Sequence, residues 1–162
     1  MITFQSFSGI ITRISDFMKS QNDKDGCYKL ISVVDGSGTL VNFVVSPTTY
    51  FVDDEMVSTG DQVSGYYDRN APVPLIYPPQ YRALIMVKDS PYQHAKVDRF
   101  NEQLVSSDGL LQLNLSPDTL VILRNGQPFT KSLTNRNLVV LYRAATKSIP
   151  AQTTPDKLIV WC

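Results

Sequence analysis

The segments TLVNFVVSPTT, residues 39–49, and GLLQLNLSPDT, residues 109–119, decide the fold. In the first, Val41, Phe43 and Val45 stand at every second position; in the second, Leu111, Leu113 and Leu115 do the same. A period of two is the mark of a β-strand with one face turned to a core. Both segments then run into Ser-Pro-x-Thr, at residues 46–49 and 116–119. Proline has no N–H to donate to a sheet ladder, so a central strand has to stop there.

Outward from these segments the correspondence continues. Residues 60–67 (GDQVSGYY) fall on residues 135–142 (NRNLVVLY). A Pro-rich stretch follows each, at 71–79 and 149–155, and each leads to an apolar strand, LIMV at 84–87 and LIVW at 158–161. A small insertion around Asn125-Gly126 keeps the register, and the match spans most of 30–87 against 100–161. Self-similarity of this kind means one supersecondary unit used twice. A further β-rich run stands at 27–34 (CYKLISVV), and the first copy adds a strand at 9–14 (GIITRI). The second copy has no obvious first strand. Either residues 93–100 supply it, or the second copy shares a sheet with the first.

The breaks between strands carry turn chemistry. Asp25-Gly26, Asp35-Gly36, Asp108-Gly109 and Asn125-Gly126 are hairpin dipeptides, because glycine adopts the positive φ that tight turns require. No long stretch has helical periodicity. The expectation is an all-β chain of two related OB-like, or small Greek-key, barrel units in tandem, over residues 1–90 and 91–162.

Composition narrows the function. Forty-three per cent of the 162 residues are hydrophobic and 19% are charged, which is the balance of a chain that folds. Fifteen Lys and Arg offset fifteen Asp and Glu. Nucleic-acid binders usually carry a basic excess that neutralises phosphates, so nucleic acid is disfavoured as a partner. A chain without net charge is also less opposed to self-association. The N-terminus shows no basic segment followed by an apolar one, and no apolar run is long enough to span a bilayer. A cytoplasmic location without membrane contact is expected, with a spore or other assembled layer as the alternative.

The stretches YYDRNAPVPLIYPPQY, residues 66–81, and SIPAQTTP, residues 148–155, resemble small tandem-repeat β proteins of spore-forming Firmicutes. The resemblance spans nearly the whole chain. It implies a bacterial origin and brings no activity with it.

Catalytic and metal signatures are weak throughout. Asp23-Lys-Asp-Gly26 echoes a calcium loop, but Ser32 stands where the closing Glu belongs, so a polar turn is the reading. The Asp53-Asp-Glu55 cluster reads as a solvated loop. His94 is the sole histidine, with no Gly-x-Ser-x-Gly elsewhere to complete a triad. Gly36-Ser-Gly38 lacks the lysine and the helix of a phosphate loop. The sequon at Asn114 lies inside a strand. Cys27 reads as a small core residue and Cys162 as an exposed one available for cross-linking between chains. No cofactor, metal site or catalytic residue is expected.

The Pro/Tyr stretch is the candidate binding loop. Tyr66, Tyr67, Tyr77 and Tyr81 cluster with four prolines, beside Arg69 and Arg82. Tyr and Arg are enriched at protein interfaces, and the same pair can stack on bases. A loop packed on its own barrel is the third reading. The second Pro loop has no aromatic residue, so the two loops are not equivalent sites. The sequence therefore favours a non-catalytic binding or assembly module. Its partners would be protein subunits, its own copies among them, in a homo-oligomer or coat-like or filament contact aided by unpaired strand edges. The alternatives are single-stranded nucleic-acid binding through an OB-type face, and an enzyme without a recognisable motif.

Overall fold

The computed structural model describes residues 1–162, and the chain divides into two compact units, 1–89 and 90–162. The chain is almost entirely β-structure. It has no α-helix, and so no helix long and apolar enough to cross a membrane.

The first unit contains β1 (Phe4–Asp16), β2 (Lys29–Val34), β3 (Leu40–Val45), β4 (Tyr50–Phe51), β5 (Gln62–Asp68), β6 (Gln80–Arg82) and β7 (Ile85–Lys88). Strand β1 is long because it serves two neighbours. Phe4–Ile10 pairs antiparallel with β5, and Ile10–Asp16 pairs antiparallel with β2. A register shift between Ile11 and Arg13 bends the strand where it passes from one neighbour to the other. Strand β2 pairs with β3, β3 runs parallel to β6, and β7, which follows β6 after Ala83-Leu84, pairs antiparallel with β5. The pairings thus form one sheet in the order β4-β7-β5-β1-β2-β3-β6, with β4 parallel to β7 at one edge and β6 at the other. Alternate residues face inward, and Ile11, Val33, Phe43, Val63 and Met86 are almost fully buried. Gly65 lies over Phe43: a Cβ there would come within 2.5 Å of the ring.

The second unit contains β8 (His94–Phe100), β9 (Leu111–Leu113), β10 (Leu120–Leu123), β11 (Arg136–Tyr142), β12 (Ala151–Thr153) and β13 (Lys157–Trp161). Strand β8 pairs antiparallel with β11 as β1 does with β5, so the region expected at 93–100 does supply a first strand. Strand β11 pairs with β13, β13 runs parallel to β10, and β9 runs parallel to β12. Between β8 and β9 there is no further strand, and single bridges join Val105 to Gln112 and Ser106 to Phe100. The core is built on Phe100, Leu113, Leu138, Val140, Leu158 and Val160.

One set of hydrogen bonds appears in both units. The Thr49 hydroxyl accepts the Ser46 amide at 3.0 Å and donates to the Ala83 carbonyl at 2.8 Å. The Thr119 hydroxyl accepts the Ser116 amide at 3.4 Å and donates to the Pro155 carbonyl at 2.8 Å. The Leu84 amide donates to the Tyr66 carbonyl, and the Asp156 amide to the Leu141 carbonyl. The Ser-Pro-x-Thr exits are therefore built alike, each tying the end of one strand to the start of another. The Tyr77–Pro78 and Ile149–Pro150 peptide bonds are both cis.

Several details depart from the sequence expectations. Tyr66 pairs with Ile85 and Leu141 with Lys157, so Ile85 corresponds to Lys157, and the alignment of 84–87 on 158–161 is two residues out of step. A slip of two keeps every side chain on its own face, so apolar patterning cannot detect it. The run at 110–115 is a strand only over Leu111–Leu113; Leu110 and Leu115 are exposed. The strand expected at 84–87 spans Ile85–Lys88, because Ala83 and Leu84 divide β6 from β7. Strand β2 starts at Lys29, which leaves Cys27 exposed in the preceding loop rather than in the core. The left-handed residue after Asp35 is Gly38 at φ 85°, whereas Gly26, Gly109 and Gly126 do take positive φ. Asp35 closes that turn by accepting the Ser37 and Thr39 amides and the Ser37 hydroxyl, and these bonds, the hydroxyl foremost, hold its carboxyl below the usual range.

Candidate binding loop

Strand β5 ends at Asp68 because its carboxylate turns the chain. Asp68 Oδ1 accepts the amides of Thr3 at 3.1 Å and Asn70 at 3.0 Å. The Asn70 side chain donates to the Thr3 hydroxyl, the Arg69 amide donates to the Thr3 carbonyl, and the Ala71 amide donates to the Asp68 carbonyl. The stem of the loop is thus stitched to the start of β1. Its far end is held where the Asn42 amide donates to the Pro79 carbonyl at 2.9 Å, as β6 joins β3.

Between these anchors lies Pro72-Val-Pro-Leu-Ile-Tyr-Pro-Pro79. Prolines fix φ and cannot enter a ladder, so this stretch stays outside the sheet despite its apolar content. Leu75 is 101% exposed, Tyr77 82%, Ile76 54% and Val73 45%. Solvent-facing apolar side chains this close together differ from the scattered ones that any surface carries.

The six expected site residues divide into groups. Tyr67 and Tyr81 stack face to face, with centroids 3.9 Å apart and planes 6° from parallel. Phe43 tilts against both, at 6.3 and 6.4 Å. Tyr67 is buried, and loss of solvent, helped by the Tyr81 hydroxyl, pushes its phenol up to about 12. These two rings form the floor of the loop. Arg82 joins them, with Asp68, Val73 and Leu84, around a cavity of about 150 Å³. Tyr77 stands apart on the tip, beside an open hollow of about 500 Å³ that shares Val73 and Tyr81 with the cavity. Tyr66 faces outward from β5, opposite to Tyr67, and Arg69 is exposed in the turn. Ion pairs join Lys29 to Asp16, Lys88 to Asp61, Lys96 to Asp108 and Arg143 to Asp156, and neither Arg69 nor Arg82 has a carboxylate partner.

Sequence reasoning singled out the aromatic and basic residues and passed over Val73, Leu75 and Ile76. The signal was available: apolar residues set between prolines cannot be buried as strand, so they must fold back or face water. Asp68 was also missed, since its role rests on a contact with Thr3 at the far end of the unit.

The equivalent loop of the second unit is chemically different. Thr153 occupies the position of Tyr81, and its hydroxyl donates to the Ala144 carbonyl. Arg143 holds Asp156 through two hydrogen bonds of 3.0 and 3.1 Å. The wide hollow there, about 660 Å³, is lined by Thr146, Gln152 and Thr154 beside that pair. The Thr146 hydroxyl accepts the Gln152 amide, and the Thr146 amide donates to the Gln152 carbonyl. Its polar groups largely satisfy one another.

Elsewhere the chemistry is sparse. His94 lies on β8 with its ring tilted over Tyr142 at 5.3 Å. Asp23 accepts the Lys19 and Asp25 amides, the Asp25 bond first, which holds its carboxyl below the usual range as expected of a turn residue. Asp53 and Asp54 sit in a short 3-10 turn with φ of 60° and 53°. No three His, Cys, Asp or Glu side chains converge to hold a metal ion. Cys27 and Cys162 are both free and exposed.

No protein-family model matches the chain, and no curated protein matches its sequence.

Proposed function

We propose that the chain is a non-catalytic binding module, two OB-like units in tandem, that makes protein–protein contacts through the loop at residues 71–79. The pairing of β1 with both β2 and β5, and the parallel contacts of β3 with β6 and of β9 with β12, support the OB-like reading. The paired hydrogen bonds at both Ser-Pro-x-Thr exits support the tandem duplication.

The observation that carries the binding reading is the exposure of Val73, Leu75, Ile76 and Tyr77 in one proline-stiffened loop. Covering one such side chain is worth about 1.5–3 kcal/mol. The prolines and the anchored stem have already ordered the loop, so less entropy is lost on binding. Unpaired strand edges, by contrast, give little support. The sheets end at β4 and β6, at β8 and β10, and at β9 and β12, and of these only β8 is longer than four residues.

Single-stranded nucleic acid is the second reading, and Arg69 and Arg82, which have no carboxylate partner, favour it. Against it, Tyr67 and Tyr81 spend their facing surfaces on each other, and the net charge is zero.

A photo-cross-linking amino acid at position 75, with position 24 as a control, separates the readings in cells. Protein adducts specific to position 75 are expected. Nucleic-acid adducts, or none, would sink the proposal.

A further inference from the structure

We infer that the partner of this loop is a second copy of the same chain, docked across a two-fold axis with Leu75 of each copy seated in the cavity beside Tyr81 of the other. The inference rests on the protein-binding reading of the same loop.

The argument begins with a knob and a hole on one short segment. Leu75 is fully exposed at the tip. The cavity of about 150 Å³ has Ala71, Pro72 and Val73 as one wall and Tyr81 as another. Its lining is apolar or aromatic except for Asp68 and Arg82, and an apolar cavity of about that size accepts a benzene-sized guest, so one leucine side chain is a reasonable occupant. Leu75 cannot fill the cavity of its own copy as the loop stands, because it projects into solvent only two residues beyond Val73.

Two-fold interfaces require self-complementarity: if residue i meets j, then j meets i. A patch carrying a knob and a matching hole side by side meets that demand with an axis passing between them. Two residues of extended chain span about 7 Å, so the axis would lie close to Val73 and Pro74.

Charge fits the same arrangement. Asp68 and Arg82 line the cavity and form no ion pair with each other. Across the axis, Arg82 of one copy can face Asp68 of the second, and the reverse contact follows by symmetry. With zero net charge, no long-range repulsion opposes the approach.

The test is sedimentation velocity over a range of concentrations, in reductant, so that Cys162 takes no part. Four samples are compared: wild type, Leu75→Ser, Ala71→Trp and an equal mixture of the two variants. Leu75→Ser alters an exposed side chain and leaves the fold intact. Ala71→Trp plugs the cavity; if its β spectrum is lost, Ala71→Leu replaces it. Wild type should self-associate. Each variant alone loses both knob-in-hole contacts of the dimer and should associate roughly a hundredfold more weakly. The mixture restores one contact, from the Leu75 of the plugged chain into the open cavity of the serine chain, and should associate more tightly than either variant alone. Wild type that stays monomeric throughout overturns the inference, as do variants that associate like wild type or a mixture no tighter than its components. Monomeric wild type whose position 75 still cross-links another protein refutes only the second copy. Monomeric wild type that cross-links no protein refutes the protein-binding reading as well. Monomeric wild type that binds anionic vesicles or single-stranded DNA through Leu75 also overturns the inference and names the partner class instead.

Discussion

Gly65 and Phe43 show how the two halves solve one packing problem with different residues. The paired register places Val140 where Gly65 lies and Leu113 where Phe43 lies. In the first unit a large ring needs a position without a side chain opposite it; in the second a smaller Leu leaves room for Val. Phe43 is fully enclosed, so its ring cannot swing away from an added methyl group. Gly65→Ala should therefore destabilise the chain by about 1–3 kcal/mol through overpacking. Combined with Phe43→Leu, the loss should be smaller than the sum of the single losses, with a coupling of at least about 0.5 kcal/mol in a denaturation cycle. Strict additivity would mean that the ring and the missing Cβ are unrelated. The sequence showed Phe43 as inward-facing from its alternation. It could not show Gly65 as its counterpart, because that pairing crosses the unit.

At the scale of elements, the stack of Tyr67 on Tyr81 ties β5 to β6 at the base of the loop. Its consequence is a pH dependence. Tyr67 holds its proton up to about 12 in the folded chain, against 10.0 for an ordinary tyrosine. Above pH 10 the unfolded chain releases this proton first, so it binds fewer protons than the folded chain and stability falls as pH rises. The contribution is fully present below pH 10 and is lost as pH rises toward 12. Denaturant midpoints followed across that interval should decline more steeply for wild type than for Tyr67→Phe. Equal slopes would contradict the buried phenol. Elements were the most legible level of the sequence. Strand β3 at 40–45 ends directly at its Ser-Pro-x-Thr motif as proline chemistry requires, whereas β9 stops at Leu113, short of its own. What stayed hidden were contacts between distant segments: the parallel pairing of β3 with β6, the division of β6 from β7, and the anchor from Asp68 to Thr3.

For the whole molecule, the two units share a wiring of hydrogen bonds and differ in what their Pro loops present. The first offers apolar side chains over a tyrosine floor. The second closes its loop with Thr153 and the Arg143–Asp156 pair. Loops vary more freely than the strands they connect, because they contribute little to the core. The contact surface proposed for the chain lies on one loop of one unit. The sequence indicated that asymmetry through the aromatic residues of 66–81. It did not indicate that Tyr67 and Tyr81 would serve as support and that Leu75 and Ile76 would face outward, since both groups are apolar or aromatic and only their neighbours decide. The most direct measurement is a dilution series of the isotopically labelled chain followed by amide NMR. The amides of Val73, Leu75, Ile76, Tyr77, Tyr81 and Arg82 should shift with concentration while those of residues 90–162 stay fixed. Shifts confined to the second unit, or none at any concentration, would contradict the assignment of the contact surface to this loop.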